Sequence, residues 1–301
     1  MINFKVPRTK DCVIIDTKNW LQNSSQILTI HRMSGRDIPT FLAKAVEVNN
    51  SNECFNGVIE KGDTLFLTRV VSEVAQCRPF EVEVGDKRYY DVPIMQVIGK
   101  FNDGNVSYDS LQLLFDKVLI KKIDTSKVGY LEIPNSNTMI GEVVKTGTCA
   151  FDKEWNKKEL VVKNGDIVLI KDNVSTEITF GTDTYYASEE SAIVGIFNGV
   201  KEYTLENLTL INDNILLESY IPEIILSSSL STPTLNFEEE DVTDIYNRDL
   251  FKIVAIDKSL TNLKKDDIIL TDRSVTNYAY IGVDKYFLLT GTTYLEAKVK
   301  V

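Results

Sequence analysis

The sequence contains very little of the chemistry on which most enzymes and metal sites depend. Its 301 residues include one histidine, His31, and four cysteines that are widely spaced, with no Cys-x-x-Cys pair and no histidine close to any of them. A single histidine removes most histidine-based zinc sites and leaves little room for a Ser-His-Asp arrangement. We therefore expect no metal site, and we expect Cys12, at the start of an apolar run, to be a small buried hydrophobic residue.

Other common signals are missing as well. There is no P-loop and no Gly-x-Gly-x-x-Gly turn, no apolar run reaches the length of a membrane span, and residues 1–5 lack the apolar core of a signal peptide. Basic residues number 33 against 44 acidic ones, which gives a net charge of -11. This charge argues against a nucleic-acid partner, since binding a duplex needs a basic face. We expect a non-enzymatic protein without a cofactor, in a cytoplasm or in a particle assembled there.

A turn followed by a short apolar run occurs three times. Residues 161–170 read Val-Val-Lys-Asn-Gly-Asp-Ile-Val-Leu-Ile, in which Gly-Asp can form a tight turn and the last four residues are typical of a buried strand. Residues 60–67 and 264–270 have the same form. The aspartates of the three turns are 103 and 101 residues apart: Asp63, Asp166 and Asp267.

A second pattern has the same period. An aspartate two residues ahead of an apolar run precedes the three turn aspartates by 52, 50 and 54 residues, at Asp11, Asp116 and Asp213. Two independent patterns in register indicate three tandem repeats of about a hundred residues. We divide them at residues 1–104, 105–199 and 200–301, with short linkers at 102–110 and 198–204. No segment shows sustained 3.6-residue periodicity, so we expect an all-β fold with few, short helices.

The middle repeat resembles the GroES-like co-chaperonin family. Four blocks carry the resemblance, in the order and spacing of the family over roughly ninety residues: 115–122 (Phe-Asp-Lys-Val-Leu-Ile-Lys-Lys), 141–147 (Gly-Glu-Val-Val-Lys-Thr-Gly), 161–170 and 188–193 (Ser-Glu-Glu-Ser-Ala-Ile). The resemblance implies a small, mostly antiparallel β-barrel for residues 111–197. Residues 5–101 and 205–301 keep only the two aspartate patterns, so the resemblance is weaker there. We expect three tandem barrels of this kind.

In that family the binding element is a mobile loop after the first strand, which presents an apolar tripeptide to a groove on an ATP-driven chaperonin. By this resemblance Leu131 and Ile133 occupy the outer apolar positions, and Glu132 departs from the pattern at the middle one. Residues 27–30, Ile-Leu-Thr-Ile, are a loose match in the first repeat. The alternative is that such residues pack on their own barrel, which we prefer for 27–30. The third repeat has the closest match to the tripeptide: Ile224, Ile225 and Leu226.

Two features depart from an ordinary co-chaperonin. A separate hairpin forms the roof of a sevenfold dome in the family, and only residues 147–159 of the middle repeat provide a counterpart. The first repeat has about ten residues there, at 49–58, and the third has six, at 257–262. Three fused repeats also fit poorly onto a sevenfold ring. We therefore expect a monomer or low oligomer, and no sevenfold ring.

Two hypotheses for function follow. The first is a three-module structural or assembly component of a protein shell such as a phage capsid, where one chain must meet several non-equivalent neighbours. The second is a co-chaperonin that docks on a chaperonin through its apolar tripeptides. Co-purification with a shell would favour the first, and an effect on the ATPase of a chaperonin would favour the second. In both cases the partner is a protein.

Overall fold

The fold is built almost entirely from β-strands. The computed structural model describes residues 12–16, 42–49, 53–67, 81–84, 87–102, 105–124, 138–152, 154–171, 175–199, 203–220, 249–271, 277–281, 284–291 and 295–299. Within these ranges the only helical elements are 3-10 turns of three residues, and no helix is long and apolar enough to cross a membrane. The prediction of an all-β fold is confirmed.

The first sheet, sheet 1, has seven antiparallel strands in the order β4-β5-β1-β2-β3-β6-β7. A 3-10 turn, Glu53–Phe55, lies between the second and third strands. The strands are β1 (Cys12–Asp16), β2 (Leu42–Asn49), β3 (Thr64–Leu67), β4 (Glu81–Val84), β5 (Lys87–Pro93), β6 (Val97–Phe101) and β7 (Leu111–Leu113).

The middle of the chain forms sheet 2 and a separate two-stranded hairpin, β10-β11. Sheet 2 has the order β13-β14-β8-β9-β12-β15-β16. In chain order the strands are β8 (Lys117–Lys122), β9 (Thr138–Thr146), β10 (Ala150–Phe151), β11 (Lys157–Lys158), β12 (Ile167–Lys171), β13 (Thr176–Phe180), β14 (Asp183–Glu189), β15 (Ile193–Phe197) and β16 (Leu208–Leu210).

Sheet 3 has six strands in the order β20-β21-β17-β18-β19-β22. They are β17 (Asn214–Ser219), β18 (Asp249–Ile256), β19 (Ile268–Thr271), β20 (Tyr278–Ile281), β21 (Asp284–Thr290) and β22 (Leu295–Val299). With the hairpin left out, all three sheets share one order of strands, numbered from the start of each sheet: fourth, fifth, first, second, third, sixth. Sheets 1 and 2 add a seventh strand after the sixth.

The predicted aspartate turn is present before the third strand of every sheet, with the same hydrogen bonds. The Oδ2 atoms of Asp63, Asp166 and Asp267 each accept a bond from the N–H three residues earlier, at 2.9, 2.7 and 2.9 Å. The residue before each aspartate has a φ between +72° and +95°. Glycine supplies this φ in the first two turns and Asp266 in the third, because a short Asp side chain tolerates the left-handed region.

Two short strands complete a sheet other than that of their own repeat. β7 lies at the start of the predicted middle repeat, yet it pairs with β6 of sheet 1, Phe101 opposite Leu111. β16 lies at the start of the predicted third repeat and pairs with β15 of sheet 2, Phe197 opposite Leu208. The predicted linkers 102–110 and 198–204 therefore each connect two neighbouring strands of one sheet.

By its contacts the chain forms two compact units, and the division falls within the middle repeat. The first unit contains Met1–Lys122, Glu142–Asp166 and Val174–Ala192. One of its core clusters consists mainly of residues from sheet 1, and a second joins sheet 1 to sheet 2, with Phe66 and Ile98 packed in one cluster with Leu119 and Ile178.

The second unit contains Ile123–Gly141, Ile167–Asn173 and Ile193–Val301. One core cluster joins sheet 2 to sheet 3 and includes Leu169, Val194, Leu216 and Leu288, while another lies within sheet 3. In both units the central strands bury consecutive residues, as in β8 and β17, so residues on both faces of these strands are covered.

Candidate functional site: the segments between the first two strands

The sequence predicts binding residues in the segments that connect the first and second strands of the second and third sheets. All six predicted residues lie outside the described part of the chain, as do residues 27–30: Leu131, Glu132, Ile133, Ile224, Ile225 and Leu226. The strands from which these segments leave are described, and they define where each segment starts and returns.

The middle segment leaves from the end of β8 and returns at the start of β9. In β8 the first four residues are buried and the last two, Lys121 and Lys122, are exposed. The N–H of Ile123 donates to the carbonyl of Ile140 at 3.0 Å, which ties the two strands together at the base of the segment. The apolar run is therefore anchored in the core, while its two terminal lysines place the chain at the surface.

The corresponding segment of sheet 3 has the same kind of base. β17 buries its first four residues and exposes Glu218 and Ser219. The N–H of Tyr220 donates to the carbonyl of Leu250 at 2.9 Å, beyond the last strand pair, Ser219 opposite Phe251. In sheet 1 the equivalent strands end with Asp16 opposite Lys44. All three segments thus connect neighbouring antiparallel strands at the same position in the strand order.

The hairpin β10-β11 is the predicted counterpart of the roof insert. Its turn is organised by Asp152, whose Oδ1 accepts hydrogen bonds from the N–H groups of Glu154 and Asn156, both at 2.9 Å. The bonds from Asn156 hold the pKa of the Asp152 carboxyl below its usual value. Trp155, at the tip, has a φ of +65° and leaves 47% of its side chain exposed.

The hairpin packs on sheet 1 through four aromatic rings, which we call the aromatic cluster. Phe55 is buried at its centre, with ring centroids 5.3 Å from Phe115, 6.1 Å from Phe151 and 5.7 Å from Trp155, all in edge-to-face geometry. Such pairs add about 0.5–1.5 kcal/mol each beyond the area they bury. The turn Glu53–Phe55, at the matching place in the first repeat, is therefore the surface on which the hairpin rests.

Comparison with known proteins decides the family. A family model described as "Chaperonin 10 Kd subunit" matches residues 110–197. The co-chaperonin GroES of Wolbachia sp. subsp. Brugia malayi (strain TRS) is 34% identical over 90 residues, which cover 29% of this chain and 94% of that protein. The co-chaperonin GroES proteins of Wolbachia pipientis wMel and Wolbachia sp. subsp. Drosophila simulans (strain wRi) are each 32% identical over the same shares. The chain belongs to the chaperonin 10 family.

The predicted resemblance of the middle repeat to GroES is confirmed by this match. The chaperonin 10 region contains the base of the middle segment, the hairpin and every strand from β7 to β15. Most of sheet 1 and all of sheet 3 lie outside it. Neither the family model nor these relatives point to a capsid, so the comparisons favour the co-chaperonin hypothesis over the shell hypothesis.

A buried lysine and two carboxylates hold the first strand of the chaperonin 10 region that belongs to sheet 2, β8, to β14. These contacts were not predicted from the sequence. The side chain of Lys117 is 1% exposed, and its Nζ atom lies 3.0 Å from Asp116 Oδ1 and 2.9 Å from Glu189 Oε1. A lysine directly after an aspartate and directly before three apolar residues, at the start of a strand, is the available signal. Burial of the ammonium group costs free energy that the two carboxylates offset.

A second buried carboxyl, Glu190, holds the chain that returns from the hairpin. It is 6% exposed, and its Oε1 accepts hydrogen bonds from the N–H groups of Val161 and Val162. Burial raises the pKa of Glu190 above its usual value, the two hydrogen bonds oppose this, and the charge of Asp116 adds to the increase. The folded protein therefore keeps this proton to a higher pH than the unfolded chain does.

This raised pKa predicts a pH dependence of stability. The contribution of Glu190 is fully present below pH 4.5, the usual value, and is lost as the pH rises through the higher folded-state pKa. In the Glu190→Gln variant the free energy of unfolding should fall less across this window, because the amide oxygen still accepts both bonds without a charge. Urea denaturation at a series of pH values measures this. Glu142→Gln, which removes an exposed carboxylate, is the control, and an unchanged slope in Glu190→Gln would contradict the prediction.

Among the residues that the structure describes, no group of three or more His, Cys, Asp or Glu side chains could hold a metal ion. Cys54 and Cys149 are in the thiol form, not in disulfides. The Sγ of Cys54 lies 3.7 Å from the carbonyl oxygen of Trp155, beside the aromatic cluster. The described part of the chaperonin 10 region offers three structural features: a hydrogen-bonded base of the middle segment, a hairpin packed on the aromatic cluster and buried ionic contacts.

Proposed function

We propose that the protein is a non-enzymatic co-chaperonin-type interaction protein, whose chaperonin 10 region docks on an ATP-driven chaperonin. The observation that carries the proposal is the match of residues 110–197 to the chaperonin 10 family, over 94% of the length of a co-chaperonin GroES. The hydrogen bond from Ile123 to Ile140 and the four buried residues at the start of β8 support it, because they hold the base of the middle segment on sheet 2.

The proposed contact residues of this region are Leu131, Glu132 and Ile133. Two apolar side chains are a small anchor, and ordering a chain segment on binding costs conformational entropy, so we expect one copy to bind weakly. Glu132 adds a charge at the middle position, which opposes burial in an apolar groove. A second anchor in the third sheet, formed by Ile224, Ile225 and Leu226, increases the affinity through effective concentration when both can engage.

We also propose that sheets 1 and 3 are modules of the same type, so that the chain contains three GroES-like domains, 1–104, 105–199 and 200–301. The shared strand order and the shared aspartate turn support this. Only the middle module carries the roof hairpin among the described residues. The three modules therefore differ in what they present to a partner.

The docking proposal predicts the effect of Leu131→Ser combined with Ile133→Ser. Each buried aliphatic side chain contributes about 1.5 kcal/mol or more, so the pair should weaken binding to a purified chaperonin roughly a hundredfold. Biolayer interferometry with nucleotide present measures the affinity, and the ATPase rate of the chaperonin gives a second readout. The same pair of substitutions at Ile224 and Leu226 shows whether the third sheet contributes.

Lys121→Ser with Lys122→Ser is the matched control, because these exposed residues flank the same segment without being apolar. It should leave the binding within a few-fold of the original. Unchanged affinity in the Leu131 and Ile133 variant, together with a large fall in melting temperature, would mean that these residues belong to a core and that the docking proposal is wrong. No binding by the unmodified protein would also overturn it.

A further inference from the structure

The connection from β6 to β7 is folded on itself by local hydrogen bonds. Ser107 and Ser110 form a reciprocal pair, in which the N–H of each donates to the hydroxyl oxygen of the other at 3.1 and 3.2 Å. The N–H of Leu111 is shared between the carbonyls of Ser107 and Tyr108. Serine side chains often bond to nearby backbone groups in this way where a chain leaves a strand. The described part of the connection, residues 105–110, therefore has a defined shape of its own.

One lysine of sheet 2 holds this connection. Lys145 lies near the end of β9 and is half-buried. Its Nζ atom donates to the carbonyl of Leu111 at 3.1 Å and also to the carbonyl of Tyr108. The same atom lies 4.4 Å from the centroid of the Tyr108 ring. Hydrogen bonds from a charged donor are stronger than neutral ones, and a cation over an aromatic ring adds to them. Lys145 thus holds both the backbone and a side chain of the connection.

The ring of Tyr108 packs in turn on sheet 2. It stacks on Tyr185 of β14, with ring centroids 5.1 Å apart and an angle of 24° between the planes. Its edge-to-face contact with Phe180 has a centroid distance of 6.2 Å. Phe180 and Tyr185 are buried in the cluster that joins sheets 1 and 2, and Tyr108 packs against that cluster. We call Lys145, Tyr108 and Tyr185 the junction stack, since they lie where the two sheets meet.

The junction between sheets 2 and 3 has different residues at these positions. Ala255 takes the place of Lys145, because each lies two residues after the N–H that donates to the carbonyl of the turn aspartate. Leu205 takes the place of Tyr108, because its carbonyl accepts the N–H of the first residue of β16, as that of Tyr108 does for β7. Both residues pack against the apolar cluster that joins sheets 2 and 3. The junction stack therefore distinguishes the first junction from the second.

We propose that Lys145 is the locking residue of the first junction, which prevents the connection from acting as a hinge. Apolar packing between the sheets is non-directional, whereas hydrogen bonds to two neighbouring carbonyls depend on direction and fix the connection in one position. Sheet 1 and the part of sheet 2 within the first unit then move as one body. This inference does not depend on the proposed docking to a chaperonin, since every contact in it lies within the first unit.

Lys145→Met in the full-length protein tests the lock. Burial lowers the pKa of Lys145, and the charge of Asp109 opposes this, so the ammonium group is partly removed from water at a cost. Methionine keeps the length of the side chain and removes that cost, so the melting temperature should change by only a few degrees. The connection, in contrast, loses both bonds from Nζ. Hydrogen exchange of residues 105–111 should therefore become at least about tenfold faster.

Hydrogen exchange followed by mass spectrometry measures this, with residues 203–211 of the second junction as the internal reference. Unchanged exchange at residues 105–111 would overturn the proposal. An equal increase throughout the first unit would overturn it as well, because Lys145 would then contribute to general stability and not to a local lock.

Further variants identify the contacts that form the lock. Tyr108→Phe keeps the ring and should exchange like the unmodified protein, whereas Tyr108→Leu removes the ring and should speed exchange of the same segment. Lys145→Met added to Tyr108→Leu should have less than the combined effect, because both act through one contact. Lys121→Met is the matched control. Lys121 lies 5.8 Å from the Tyr185 ring, but it is exposed and paired with Asp183, and such pairs contribute little. Full additivity, or an equal effect of Lys121→Met, would contradict the assignment.

Discussion

Replacing Phe55 by alanine is expected to lower the free energy of unfolding of the first unit by about 3–5 kcal/mol, the range for large aromatic residues removed from a core. Phe55 is 1% exposed and is the ring that Phe115, Phe151 and Trp155 share. Its loss leaves a cavity beneath the hairpin and removes three edge-to-face contacts at once. The hairpin should then separate from sheet 1 at lower denaturant concentrations than those that unfold the sheets.

Urea denaturation followed by tryptophan fluorescence measures this, because Trp155 is one of two tryptophans in the chain. Trp155→Ala is the matched control, followed by circular dichroism. Nearly half of its side chain is exposed, so its removal should cost much less than that of Phe55. Equal losses in the two variants would show that the cluster does not depend on its buried centre.

The buried lysine should give a contrast between two kinds of substitution. Asp116→Asn with Glu189→Gln leaves the Lys117 ammonium group buried without a counter-charge, and should cost about 3 kcal/mol. Lys117→Met instead removes the buried charge and keeps most of the side-chain volume, so it should be neutral or stabilising. The two carboxylates then lose their counter-charge, but they remain in contact with water, since the side chain of Glu189 is 49% exposed and that of Asp116 is 21% exposed.

Thermal unfolding of the two variants and their triple combination tests the argument as a thermodynamic cycle. The triple variant should regain most of the stability lost in the double variant, because the buried ammonium group of Lys117 is then absent. If Lys117→Met were as destabilising as the double variant, the lysine would contribute through its hydrogen bonds and packing, and our assignment of the cost to an unpaired charge would be wrong.

Local structure could be predicted from the sequence where it depends only on residues that are adjacent along the chain. The Gly-Asp turn before residues 167–170 follows from backbone preferences, and the same reasoning extends to Asp267, where no glycine is present. The absence of 3.6-residue periodicity likewise predicts the lack of long helices in the described ranges. The hairpin between Gly147 and Glu159 follows from its polar residues around an aromatic one.

Contacts between repeats could not be predicted in this way. Leu111 looks like the first residue of the middle repeat, yet it pairs with Phe101 of the sheet before it. The apolar triplet at residues 111–113 could pair with either sheet. Which sheet it joins depends on the geometry of the assembled sheet edges, which the triplet itself does not contain. Phe55 and Trp155 are a hundred residues apart, so no local pattern links them. Lys117 similarly depends on Glu189, which is distant in sequence.

The function was harder to predict than the fold for a related reason. The sequence has none of the common catalytic motifs, and that absence fits shell proteins and co-chaperonins equally well. The poor fit of three repeats to sevenfold symmetry led us to place the shell hypothesis first. The match over residues 110–197 favours the co-chaperonin hypothesis instead. It relates the chain to particular proteins, the GroES co-chaperonins, which composition and symmetry could not do.

The pairing of β7 with β6 also has a consequence during synthesis of the chain. Translation delivers the first six strands of sheet 1 before residues 111–113 have been made, so the nascent chain passes through a stage in which β6 is an open edge. Domains fold largely in order from the N-terminus as they leave the ribosome, and open edges pair readily with other strands. The short connection of nine residues, 102–110, limits the time for which that edge is available. On a polysome, where many copies of the first sheet emerge close together, we expect early pairing of β7 with β6 to reduce pairing between neighbouring nascent chains.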